Sequence, residues 1–169
     1  MRAGMPQNQL HIAPLDPEAG RAIIGWRYPA PYDLYNLGES ATEEILADLL
    51  NPDLAYYKIT TPTGELVAFC NFGIDARVPG GEYSQDALDI GLGIRPDLTG
   101  AGNGSHFVEE VLEFTRQMFH PRVLRVTIAG FNLRAQRVWQ KAGFQQTQRF
   151  LRPLDEMEFL VFTRDAQPA

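Results

Sequence analysis

The chain holds one cysteine in 169 residues, so no internal disulfide can staple it. Cys70 lies in the apolar run Leu66 to Phe72 and reads as a buried strand residue of a reducing compartment rather than as a nucleophile. Histidine is also scarce. His11, His106 and His120 form no cluster, and the His106/Glu110 pair at i, i+4 supplies two ligands without a third, so no metal is expected. Neither a CxxC pair nor a Ser-His-Asp set is present. No stretch approaches the ~20 apolar residues of a membrane span, and the N-terminal MRAGMPQNQLHIAPLDPEAG lacks the apolar core of a secretion signal. A soluble, cytoplasmic protein without a membrane partner is therefore expected. Positive charge is in the minority, with 15 Lys and Arg against 21 Asp and Glu, a net −6. That balance argues against binding nucleic-acid backbones, which needs clustered basic residues. An acidic surface favours solubility and weakly suits a cationic acceptor. Repeats and low-complexity segments are absent, and 169 residues make one domain, 1–169 with a core from about 8 to 163.

What is present is organised around Asp89 to Phe119, a strand, a glycine loop and a long helix in succession. Ile90, Leu92 and Ile94 alternate with Asp89, Gly91 and Gly93, as the period of a strand requires, and Arg95-Pro96 ends it. Gly100, Gly102 and Gly104 then occupy every second position. From Ser105 the residues Phe107, Val108, Val111, Leu112, Phe114 and Met118 recur at helical spacing. A helix start exposes unpaired N–H groups and carries roughly +0.5 of a charge, and glycine lets a phosphate approach those amides. The same glycines also suit a plain tight turn. The spacing is not G-x-G-x-x-G and lacks the lysine of a G-x-x-x-x-G-K-[ST] loop, which disfavours dinucleotide binding and nucleotide hydrolysis.

Around this unit, Leu10 to Ala13 reads as a short strand. Asp16 caps a helix that opens with Pro17 and Glu18 and carries Ala19, Ala22, Ile23 and Trp26 on one face. Trp26 to Asn36 is a stiff loop dense in proline and aromatics, whose Trp26, Tyr28, Tyr32, Asp33 and Tyr35 suit the wall of a ligand site. A second helix runs from Thr42 to Leu50. Strands Ala55–Thr60 and Glu65–Phe72 flank a Pro/Gly turn, and a loop through Pro79-Gly80-Gly81 leads to Asp89. Val123 to Ala129 is a β-branched strand, Asn132 caps a helix closed by Gly143, and Phe144–Phe150 and Glu158–Phe162 are final strands.

Thr99-Gly100-Ala101-Gly102-Asn103-Gly104 resembles the phosphate loop Q/R-x-x-G-x-G/A of the GNAT superfamily of acyl-CoA N-acyltransferases, with Thr99 in place of Gln or Arg. Asn132 to Phe144, NLRAQRVWQKAGF, resembles the family's N-x-x-A-x-x-x-Y-x-K-x-G-F element. The resemblance covers roughly Leu10 to Phe162. It implies an α+β, three-layer fold: a mixed, mostly antiparallel central sheet with helices on both faces. It also implies acetyl-CoA as the cofactor and a small-molecule or peptide amine as the acceptor, with a homodimer as an assembly to be tested. By the resemblance, Leu92 and Ile94 offer backbone groups to the pantetheine arm in a gap beside Val123–Ala129, and Thr99 to Gly104 hold the pyrophosphate. Asn132 reaches the pantetheine as well as capping its helix, and Arg137 and Lys141 stand near the outer phosphates. Trp139 takes the place of the tyrosine that protonates the leaving thiolate in many members. An indole is no usable acid at neutral pH, so another group or water is expected to protonate the thiolate, with Tyr83, Tyr32 and Tyr35 among the candidates. The amide of Ile94 is a candidate for holding the oxyanion.

An attacking amine must first lose a proton. A lysine-like amine of pKa ~10.4 is neutral in about one molecule in a few thousand at pH 7, and an α-amine near ~7.8 in roughly one in ten. Asp89, beside Gly91 and Gly93, is the leading carboxylate base, followed by Glu82 and Asp33. A strand-end surface acid is the competing reading of Asp89. The activity expected is acetyl transfer to a primary amine; the alternative is a non-catalytic acyl-CoA-binding module.

Overall fold

The computed structural model describes residues 9–38, 40 and 42–166; the expectations for the N-terminal stretch through Asn8 lie outside them. Among the described residues, seven strands form one sheet: β1 (His11–Pro14), β2 (Tyr56–Thr60), β3 (Leu66–Phe72), β4 (Leu88–Ile94), β5 (Val123–Ala129), β6 (Gln145–Leu151) and β7 (Glu158–Asp165). Their spatial order is β1-β2-β3-β4-β5-β7-β6. Every neighbouring pair is antiparallel except β4 and β5. The mixed, mostly antiparallel sheet expected from the resemblance is present.

The helices form where the caps are. Asp16 Oδ1 accepts from Ala19 N at 2.8 Å and opens α1 (Pro17–Ile24), which has proline in its first turn. This helix stops at Gly25, so Trp26 leaves the helical face expected of it and lies on the Phe69 ring, centroids 6.0 Å apart. α2 (Thr42–Leu49) follows a single 3-10 turn at Tyr32–Tyr35. The central helix α3 (Gly104–Phe119) ends at His120, φ 48°, just before Pro121. Asn132 Oδ1 accepts from Ala135 N at 3.1 Å and opens α4 (Leu133–Lys141).

Strand alternation sends the two faces of the sheet to different helices. Ile90 and Cys70 join Phe107, Val108 and Val111 of α3 and Trp139 of α4 in the main core. On that side Tyr57 and Phe72 pack on Phe114 at 5.0 and 6.0 Å. Burial pushes the Cys70 thiol well above its usual range, which keeps it an inert core residue. The opposite face carries Tyr56, Phe69 and Asn71. Tyr56 packs there against a smaller cluster of Ile24 from α1 and Leu46 and Leu49 from α2.

Candidate active site

β4 and β5 pair only at Leu88 with Leu124 and Asp89 with Arg125, then diverge. The rest of β4 leans on β3. Gly73 N donates to Asp89 O at 2.9 Å and Arg95 N to Val67 O at 3.0 Å, so the odd-numbered residues spend their backbone groups on that ladder. In an antiparallel ladder the alternate residues turn the other way, which aims the backbone of Leu92 and Ile94 into the gap. Tyr28 takes up one of these groups, its hydroxyl donating to Ile94 O at 2.7 Å. Burial pushes the Tyr28 phenol up to about 12, which suits a group held as a donor. The gap opens into a cleft of about 780 Å³.

The glycine loop forms one end of this cleft. Gly100 and Gly102 have φ values of 72° and 80°, a left-handed backbone that glycine adopts at least cost. Thr99 Oγ1 donates to Pro96 O, and Asn103 Nδ2 donates to Leu98 O, so the polar side chains fold back on the loop's own carbonyls. Among the described residues, the amides of Gly100 to His106 have no acceptor. They point from the head of a 16-residue helix, the geometry that favours an anion. A Cβ at Gly102 would meet nothing within 4 Å, whereas one at Gly104 would come 3.0 Å from Val138 Cγ2. Gly102 thus keeps the mouth open and Gly104 lets α3 approach α4. Arg134, Arg137 and Lys141 add positive charge to the same wall.

Of the expected loop residues, Thr99, Gly100, Gly102 and Gly104 reach the cleft wall together with Ser105, whereas Ala101 and Asn103 do not. Leu92, Ile94, Asn132 and Trp139 line it as well. Asn132 spends Oδ1 on the cap and donates from Nδ2 to the Tyr35 hydroxyl at 3.0 Å, tying α4 to the aromatic loop. Trp139 is packed edge-on against Phe144 at 5.0 Å. Tyr28, Tyr32 and Tyr35 line the cleft, and Tyr32 lies under the Arg134 guanidinium at 4.3 Å. Trp26 and Asp33 are absent from the wall: Trp26 supports Phe69 from behind, and Asp33 is exposed.

The base expected at Asp89 is corrected by the structure. Its residue is 1% exposed. Its Oδ1 accepts from Arg125 Nε at 2.6 Å, and its Oδ2 accepts from Arg125 Nη2 and Arg77 Nε, both at 2.8 Å. A carboxylate with both oxygens committed to two guanidiniums, and no place on the cleft wall, is a structural ion pair. The pairing raises the basicity of Arg125, so the charges stay locked together. Glu82 is also corrected. It is exposed and turned onto Ser84, accepting from Ser84 N at 2.9 Å, and hydrogen bonding by the Ser84 hydroxyl first and its amide second holds the carboxyl below its usual range. Tyr83 lies behind the wall rather than on it. Its hydroxyl accepts from Val78 N and shares a hydrogen bond with Thr127 Oγ1, each at 2.9 Å, and its ring lies beside Arg77 and Arg125 at 5.4 and 4.9 Å. Thr127 is the member of this group that lines the cleft.

Sequence reasoning missed Phe69, Asn71, Asp75 and Thr127, which all line the cleft. The only available signal was the pair Gly91 and Gly93. A Cβ at Gly91 would fall 2.1 Å from Asn71 Oδ1, and one at Gly93 2.3 Å from the Phe69 ring. Those two glycines let β3 side chains lie across β4 toward the gap.

A model of the acetyltransferase (GNAT) domain matches residues 10–145. No curated protein sequence matches the chain. Among solved structures, a chimera of the Vibrio cholerae spermidine N-acetyltransferase SpeG and hSSAT has a TM-score of 0.72 at 15% identity, covering 94% of this chain and 96% of its own. An acetyltransferase of the GNAT family from Bacillus anthracis gives 0.71 at 14% identity, covering 95% and 97%. The Salmonella typhimurium protein yncA, solved with acetyl-CoA, gives 0.65 at 15% identity, covering 96% of each. At these identities the likeness is one of fold.

Proposed function

This chain belongs to the GNAT acetyltransferase family, and we propose that it moves the acetyl group of acetyl-CoA onto the primary amine of a small molecule or a peptide N-terminus by direct attack. One observation carries this reading: the unpartnered amides at the head of α3 open onto the gap where β4 leaves β5. The Salmonella structure with acetyl-CoA and the Vibrio spermidine acetyltransferase support the choice of cofactor and of an amine acceptor.

The bound coenzyme supplies an activated acyl carbon; the chain supplies grip, orientation and polarity. Gly100 to His106 would hold the diphosphate on their N–H groups, with Arg137 and Lys141 beside it. Leu92 and Ile94 would align the pantetheine through backbone groups that no neighbouring strand uses. The Ile94 N–H, aimed into the gap, is placed to donate to the carbonyl oxygen. Trp139 fills the wall as a buried aromatic plate whose indole N–H is no usable acid at neutral pH. With Asp89 locked in its ion pair, an acceptor that already has an appreciable neutral fraction is favoured, as an α-amine near ~7.8 has.

Titration calorimetry should show acetyl-CoA and free coenzyme A binding to the same site. Gly102→Ala should weaken both more than ~10-fold by placing a methyl where nothing now lies within 4 Å. Thiol release on adding amines tests turnover. Binding without release across a broad amine panel would make the chain a non-catalytic acyl-CoA-binding module. The cytoplasm is the proposed compartment, supported by the buried free thiol of Cys70. Among the described residues no helix is long and apolar enough to cross a membrane. A homodimer stays an expectation for sedimentation equilibrium to check.

A further inference from the structure

Among the described residues that line the cleft, Asp75 is the one carboxylate. It sits on the 3-10 turn Ile74–Ala76 that follows β3, near the closed end of the gap, since Gly73 is bonded to Asp89 at the start of β4. The Tyr56 hydroxyl donates to its Oδ2 at 2.6 Å, and Oδ1 has no partner among the described residues. Burial and the charges of Asp75 and Asp48 push the Tyr56 phenol far up, so it stays a donor. Asp48 adds negative potential from α2 without reaching the cleft wall. The cationic residues of the wall, Arg134, Arg137 and Lys141, belong to α4 or its start, on the coenzyme side. The cleft is therefore charged in opposite senses on its two sides.

Beside the carboxylate stands an aromatic surface. Tyr56 packs on Phe69 with centroids 6.1 Å apart, so the ring that orients Asp75 also buttresses Phe69. Phe69 reaches over Gly93, with Trp26 behind it. Leu34 and Leu37 line the same cleft, as does Tyr28, which is bonded to Ile94 at the open end. A ligand amine at Asp75 would thus have an apolar surface running away from it, with no second carboxylate to meet.

Resting on the acetyltransferase reading above, we infer that Asp75 receives the acceptor as its ammonium and takes up the proton its nitrogen sheds before attack, passing it to solvent from an exposed turn, while Phe69 receives its body, so the acceptor is a monocationic amine carrying an aromatic or bulky apolar group. Tyr56 is a positioning residue that fixes the Asp75 rotamer. A polyamine would leave its further charges against apolar wall.

Steady-state turnover is measured with phenylalaninamide, 2-phenylethylamine, glycinamide and spermidine at saturating acetyl-CoA, alongside calorimetry of acetyl-CoA binding. The expected order compares amines of like basicity: phenylalaninamide should exceed glycinamide, and 2-phenylethylamine spermidine, by at least ~10-fold in kcat/KM, about what burying a phenyl group contributes. Asp75→Asn should raise the KM of the aromatic amines ~10- to 100-fold, the range of one charge-assisted hydrogen bond, and leave the acetyl-CoA Kd unchanged. Tyr56→Phe should raise the same KM by a smaller factor. Phe69→Ala should collapse the advantage of phenylalaninamide over glycinamide. Glycinamide equalling phenylalaninamide, or spermidine equalling 2-phenylethylamine, would overturn the inference while leaving the transferase reading intact. So would an Asp75→Asn variant with unchanged amine KM. Failure of the unaltered protein to bind acetyl-CoA, or to release thiol with any amine, would instead overturn the reading on which the inference rests.

Discussion

The two ends of β4 behave as though they belonged to different proteins. At its start, Leu88 and Asp89 pair with β5, the Asp89 carbonyl accepts from Gly73 just past β3, and the Asp89 carboxylate is clasped by Arg125 and Arg77. At its end, Gly91 and Gly93 keep the ladder to β3 while Leu92 and Ile94 turn their backbone groups to an open cleft. A sheet that splits must do so at a defined residue, because a strand edge left open is a liability unless something bounds it. Here a buried ion pair closes one end and a tyrosine hydroxyl meets the other. The open edge is therefore a short segment of bare backbone of set length, which is what an extended ligand arm can pair with.

Breaking the closed end should have the largest effect. Asp89→Ala leaves Arg125, whose side chain is 2% exposed, as an uncompensated buried charge. Urea unfolding should show a loss of about 3–5 kcal/mol. The double change Asp89→Leu with Arg125→Met should recover most of it, and a single-variant loss below ~1 kcal/mol would show that the pair does not hold the split. Next comes Gly91→Ala, whose methyl would meet the Asn71 carboxamide at 2.1 Å. Asn71 is 5% exposed and has little room to move. The expected cost is about 1–3 kcal/mol, relieved in the Asn71→Ala background, where a double-mutant cycle should give a coupling well above additivity error.

At the open end the effects are smaller. Tyr28→Phe removes the bond to Ile94 O beside a solvated cleft, for about 0.5–1.5 kcal/mol, or a few degrees in Tm by calorimetry. The smallest effect sharpens the comparison with Asp89 through pH. Asp16 is held below its ordinary value of 3.8, first by the Lys58 hydrogen bond and then by the Ala19 amide. A lowered carboxylate contributes stability that is present above the ordinary value and lost as pH falls through the lowered one. Stability measured from pH 6 down to pH 2 should therefore fall below about pH 4, and Asp16→Asn should flatten that part of the curve slightly. An unchanged acid limb would show that the exposed Lys58 pair is screened away.

The elements were legible where the signal is local. The Val123–Ala129 strand, the caps at Asp16 and Asn132 and the helix after Gly104 each follow from a few adjacent residues. Both glycine-bearing motifs were legible as a resemblance, and their residues meet where α3 packs on α4, at Gly104 and Val138. The acid–base assignments fared worse for one reason. Asp89 shares its strand face with small residues and looks accessible, but its partner Arg125 is 36 positions away and no local pattern announces it. Asp75 stands in a plain connecting turn, and only the folded sheet brings the Tyr56 hydroxyl to it.

Composition and periodicity determined by themselves that this chain would fold without disulfides into layered strands and helices, with amides bared by glycine at the head of the longest helix. Those features depend on neighbours within a few residues, so they are written along the chain. Which carboxylate is locked away and which faces the cleft was decided only when β4 found β3 on one side and β5 on the other. Electrostatic partners are chosen by distance in space, and distance in space is what folding creates.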